Sequence, residues 1–166
     1  MTNLTSLIFI AIVIEILAAV FIATKTAISR TSESRVEVFG KDSGKNITKL
    51  EKVILDKTKH VASLQLLALA LTSAGGVFLT FVIIKIYSAN SFSIFLSTVI
   101  VSLLGFIVLG VAPETLGRQK SDSIAYFMAP ISLLIKPVIW PIAKILVSIG
   151  NALTPGKGFK DGPFAT

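Results

Sequence analysis

Two carboxylates stand where an apolar chain has least use for them. Glu15 interrupts the run L-T-S-L-I-F-I-A-I-V-I-E-I-L-A-A-V-F-I-A, and Glu114 follows directly on the proline that closes V-L-G-V-A-P-E-T-L-G-R-Q. A carboxylate inside a bilayer costs about 2.5 to 3.5 kcal/mol on insertion scales, so it implies a compensating partner. Glu15 shares a helical face with Ala11, Ala18, Ala19 and Ile22, small neighbours that turn it toward other helices rather than lipid. It precedes Lys25 by ten residues, about 15 Å of helix, which sets it near the middle of a membrane. The same depth on the next two apolar runs carries Thr72, Ser73 and Ser102 as hydrogen-bond partners, with Gly75, Gly76 and Gly105 allowing close helix approach. Two roles fit Glu15: a cation or proton site, or a protonated acid bonded across helices for packing. Glu114 poses a different question. The inner ends of membrane helices ordinarily finish in Lys or Arg, so this carboxylate calls for a cation opposite it.

The elements that position these groups follow from composition. Of 166 residues, 53% are hydrophobic and 15% charged, too apolar a balance for a soluble domain of this length. The net charge of +7 belongs to loops flanking membrane spans, and nucleic acid is not the expected partner. The chain has no cysteine, which excludes disulfides, thiol catalysis and Cys-ligated zinc. His60 has no second His or carboxylate at ligand spacing and reads as a polar residue at the mouth of a span. No nucleophile and base pair, metal-ligand set or phosphate loop is present in the sequence, so an enzyme is not expected.

Three runs reach the roughly 20 apolar residues that a span needs: about 4–25, 61–84 and 92–113. The first lacks a basic leader and is too long for a signal-peptide core, so it is retained as a span. Every one of the sixteen basic residues except Lys85 then falls on one side, which places the N-terminus outside and the C-terminus in the cytoplasm of a multi-pass inner-membrane protein. The connector between the first two spans reads as two short helices around a Gly40–Gly44 breaker, with Leu50, Val53, Ile54 and Val61 on one face. After the third span, about 123–150 forms a proline-bent helix with Pro130, Pro137 and Pro141. Ser132, Lys136, Trp140, Lys144 and Ser148 recur along it every four residues, a pattern that suits an amphipathic helix at the inner leaflet. A fourth span over this segment would carry the basic tail outside. The fold class is therefore all-α: three transmembrane helices plus a juxtamembrane helix in a domain of about 1–150, with 151–166 a Gly/Lys linker toward a part not included.

The stretches A-T-K-T-A-I-S-R-T-S-E-S-R-V, G-V-A-P-E-T-L-G, Y-F-M-A-P-I-S-L-L-I-K-P-V-I-W-P and F-K-D-G-P-F-A-T, in that order, resemble the transmembrane domain of CorC/CNNM proteins, once called hemolysin-related. The resemblance covers nearly the whole chain. It implies three spans, a juxtamembrane helix belt, a homodimer, cytoplasmic CBS domains beyond the linker, and Mg2+ transport. It also implies a cation site made of two first-span hydroxyls and a Glu, an Asn pair on the second span, and a third-span Glu. Carried onto this chain, the hydroxyl positions become Ile22 and Thr24, the first-span Glu becomes Lys25, the Asn pair falls near Ala68 and Leu69, and the third-span Glu becomes Gly110. The family's Lys after Pro113 becomes Glu114. What remains is Thr24, Ser63 or Gln65, and backbone near Gly110. The resemblance thus implies a charge-swapped pair, Lys25 and Glu114. Helix packing is expected through Gly75, Gly76, Gly105, Gly110 and Pro113.

Two functional classes follow. One is an interaction or regulatory membrane subunit that has lost its ion site, with the bilayer and a second copy or another membrane protein as partners. The other is a divalent-cation transporter with an altered site built around Thr24, Gln65 and Glu15. No cofactor is assigned, and Mg2+ enters only through the resemblance.

Overall fold

The computed structural model describes residues 3–153, and these are helical with no strand among them. Helix α1 (Leu4–Arg30) leads through α2 (Glu33–Ser43) and α3 (Thr48–Leu55) to α4 (Lys57–Tyr87). Helix α5 (Ser91–Leu104) continues through a π-helical segment (Gly105–Val111) into α6 (Ala112–Gln119), and α7 (Ser121–Leu153) closes the order. Helix ends follow local chemistry. Thr31 is extended and stops α1, and Gly44 ends α2 at φ 62°, a left-handed conformation natural to glycine. The Asn90 side chain caps α5 by accepting from the Ser93 N–H at 2.8 Å. The connector helix α2 runs through Gly40, so the break falls at Gly44 alone.

Four stretches, rather than the three expected, are long and apolar enough to cross a membrane: α1, α4, α5 continued through α6, and α7. The fourth is the proline-containing segment. Pro130, Pro137 and Pro141 all lie inside one continuous helix, since each proline removes only one backbone donor and an apolar setting tolerates the loss.

The most extensive packing is between α1 and α4, which run antiparallel with Glu15 against Gly75. Ala11, Ala18, Ala68 and Gly75 are buried along these helices, small residues that let backbones approach where lipid offers no hydrophobic drive. At the basic end of the bundle, Ala27 and Ile28 of α1 join Val36, Leu50, Val53, Ile54, Val61 and Leu64 in a core completed by Ala125 and Ala129 of α7. The apolar face expected on the connector is thus packed. Phe9, Phe95, Phe106, Ile107 and Leu134 are exposed, as suits a surface facing lipid tails.

The direction of α7 can be read from its contacts. Asp122 meets Thr31 and Arg35 just past α1, whereas Ser132 meets His60 near the start of α4. Counted from the Glu15–Gly75 contact, Thr31 and His60 lie at similar heights, about 23 Å away. Ten residues of α7, about 15 Å, therefore separate two contacts at one level. The first half of α7 runs across the ends of α1 and α4. The tail expected over 151–166 lies, beyond Leu153, outside the described residues.

Candidate functional site

Helix α6 reaches α1 because Gly117 has no side chain. A Cβ there would meet the Ala23 carbonyl oxygen at 2.6 Å and Thr26 Cβ at 2.8 Å. Pro113 starts the same helix and is buried, so the carboxylate that follows it is fixed in direction. Three residues before Gly117, Glu114 comes beside α1, and its Oε1 lies 3.9 Å from Lys25 Nζ. Its other oxygen faces Arg118 Nη2 at 3.4 Å. Glu114 is therefore shared between two cations.

Around this pair, the groups named by residue type fall unequally. Thr24 is fully buried, and its hydroxyl donates to the Val20 carbonyl at 2.7 Å, a bond within its own helix. Gln65 is half-buried on α4. Gly110 lies in the π segment, where a Cβ would stand 3.8 Å from the Gly105 carbonyl oxygen. Neither Ile22 nor Gly110 offers a side-chain oxygen. The Mg2+ ion favours an octahedral array of oxygens, and a Lys ammonium among the donors opposes it.

At mid-depth the structure brings Glu15 and Thr72 together and separates the rest. Both line a cavity of about 230 Å³ with Ile12, Ile16, Val101, Gly105 and Leu109. The Glu15 side chain fills the space that a side chain on Gly75 would take, with Oε1 closest to the position of the absent Cβ. Ser73 and Ser102 are exposed and take no part. A Cβ on Gly76 would lie 3.3 Å from Val101, as close approach requires, but one on Gly105 would meet nothing within 4 Å among the described residues. Its expected packing role is not seen; it opens the π segment instead.

Sequence reasoning missed a third cluster, at the basic end. The Asp56 carboxylate bonds Lys136 of α7 and, at 2.9 Å, Lys59. These hydrogen bonds, Lys136 first, hold its pKa down to about 2. Asp122 accepts from Arg35 at 2.8 Å and from Thr31 at 3.4 Å. Far from being an edge residue, His60 is completely buried: Nδ1 pairs with Ser132 Oγ at 2.8 Å while Nε2 has no partner among the described residues. Lys45 sits over Phe39, Tyr126 and Phe127, 5.3 to 5.8 Å from the ring centroids, and ties the α2–α3 connector to α7 by cation–π attraction. The only sequence signal for these contacts was the four-residue recurrence of Ser132 and Lys136.

Helices of this length and apolarity, with a partly buried Glu15–Thr72 site at mid-depth and a polar cluster at one end, define a multi-pass membrane domain. The chain matches the family described as "CNNM: Cyclin M transmembrane N-terminal domain" over residues 8–166, and it belongs to that family. It is 36% identical over 156 residues to the UPF0053 protein Rv2366c of Mycobacterium tuberculosis, a match covering 94% of this chain and 36% of the relative. The UPF0053 protein Mb2387c of Mycobacterium bovis matches with the same values. This chain therefore spans little more than a third of the length of these relatives.

Proposed function

We propose that this chain is the membrane domain of a CorC/CNNM-type protein whose cation site has given way to an internal ion pair, and that it acts as an interaction or regulatory membrane subunit. One observation carries the reading: Lys25, at the position where the family resemblance puts a ligand carboxylate, extends its ammonium to within 3.9 Å of Glu114. A fixed positive charge at that place opposes a divalent ion, and at 4 Å two unit charges interact by about 4 kcal/mol at an effective dielectric near 20. In this reading α1, α4 and the α5–α6 rod cross the inner membrane, with the basic end in the cytoplasm. The first half of α7 is a juxtamembrane helix, supported by its course across the ends of α1 and α4. A homodimer or a second membrane protein covers part of the exposed apolar surface, and CBS domains follow the linker.

A second reading, Mg2+ transport through an altered site, has one observation in its favour. Gly105–Val111 is π-helical, a conformation concentrated at functional sites, and it contains Gly110, where the family's third-span carboxylate would fall. Mg2+ flux through liposomes carrying the protein separates the two readings.

A further inference from the structure

The Glu15 cavity is distinct from the Lys25–Glu114 rim and has the character of a ligand site. Its walls are apolar apart from the Glu15 carboxylate and Thr72 hydroxyl, and its volume of about 230 Å³ lies below the range of drug-sized sites, about 300 Å³ upward. Apolar cavities of about 150 Å³ admit a benzene ring, so the space suits one compact hydrocarbon group. Leu109 is buried within it, whereas Ile12, Ile16, Leu104 and Val108 are 41 to 56% exposed, so the mouth opens sideways between α1 and the α5–π rod, toward lipid. Neither carboxylate oxygen of Glu15 has a hydrogen-bond or ion-pair partner among the described residues. Its side chain is seated against Gly75, with Oε1 nearest that residue, and Glu15 still lines the cavity.

We propose that this cavity binds a small lipophilic amine that enters from the bilayer, its ammonium on Glu15 and Thr72 and its hydrocarbon body against Ile12, Ile16 and Leu109. No charge has to cross lipid unpaired. A neutral amine meeting a protonated Glu15 takes the acid's proton on its nitrogen lone pair, giving an ammonium–carboxylate pair in a water-poor site where such attraction is strong. One carboxylate is a poor match for a divalent ion but complete for a monovalent one. The inference goes beyond the reading of the rim and does not depend on it.

The test uses the full chain in lipid nanodiscs, with 1-adamantylamine as probe and 1-adamantanol as its uncharged counterpart of similar shape. The amine should give saturable binding and a rise in melting temperature, and the alcohol a response weaker by about tenfold or more, the scale of one charge-assisted hydrogen bond. Glu15→Gln should bring the amine down to the level of the alcohol. Gly75→Ala, whose methyl displaces the Glu15 side chain, should weaken the amine and spare the alcohol. Equal binding of amine and alcohol to the wild-type protein, which requires no variant to fold, overturns the proposal and makes the cavity a lipid-tail pocket. Absence of saturable binding, or an unchanged amine affinity in Glu15→Gln, overturns it as well.

Discussion

Lys25 of α1 and Glu114 of α6 face one another at 3.9 Å, although 89 positions separate them and nothing between them forces the meeting except helix packing. Their side chains are 21% and 41% exposed, so the attraction is partly screened. Arg118 also holds Glu114. A double-mutant cycle should therefore show a favourable coupling of about 0.5 to 1 kcal/mol. Lys25→Glu sets two carboxylates together, Glu114→Lys sets three cations together, and the double exchange restores one attraction while leaving the introduced ammonium beside Arg118. Detergent melting of the four proteins measures the sign. A double variant no more stable than the worse single one would show that the charges are not partners.

Close approach of α6 rests on Gly117. Gly117→Ala would place a methyl 2.6 Å from a backbone carbonyl, which cannot swing aside, and should destabilise by about 1 to 3 kcal/mol through overpacking. Gly105→Ala meets nothing within 4 Å and should be neutral or gain up to about 1 kcal/mol from helix propensity. Melting temperatures of the two variants should move in opposite directions, or the second not at all; equal losses contradict the account of α6.

Asp56 predicts a pH dependence. Its folded pKa of about 2 lies below the ordinary 3.8, because Lys136 and Lys59 favour the ionised form. The unfolded chain binds the proton more tightly, so the contribution is complete above about pH 4 and is lost as pH falls through about 2. Asp56 is partly exposed, so the effect is modest. Thermal melts of the wild type should fall in that window, and those of Asp56→Asn less steeply. Identical slopes would remove the Asp56–Lys136 tie between the α3–α4 junction and α7 from the stability account.

Topology is testable because the chain has no cysteine of its own. Single cysteines at Asn3 and Asn90 should react with an impermeant maleimide on intact cells, and those at Ser43 and Leu153 only after lysis. Leu153 is the decisive position, 79% exposed at the end of α7. Its labelling on intact cells would make α7 a fourth crossing.

The helices were legible because apolar length is a one-dimensional property: α1, α4 and α5 appear in the sequence as unbroken runs around Glu15, Gly75 and Gly105. The sequence alone called for a cation opposite Glu114, but it took the family resemblance to name Lys25, which the structure puts 3.9 Å away. Other features depend on three-dimensional neighbours. Gly117 and Gly105 look alike in sequence, yet one faces a carbonyl and the other open space. Ser73 and Ser102 share the depth of Glu15 but not its face, because depth fixes height and leaves rotation about each helix undetermined. The π segment shifts that rotation again by one residue, which no apolar pattern announces. His60 was misjudged because α7 covers it, and the course of α7 follows from Ala125, Ala129 and Ser132 fitting a core they do not advertise.

The central claim, that an ion pair has replaced the cation site, is tested most directly by Mg2+ flux. Liposomes carrying the protein and an entrapped Mg2+-sensitive dye should respond to millimolar external Mg2+ no faster than protein-free liposomes, because in the proposed reading Lys25 replaces a ligand carboxylate, and the Thr24 hydroxyl is bonded to Val20. A saturable, Mg2+-specific flux that is lost in Thr24→Val or Glu15→Gln would contradict the claim and establish transport through an altered site.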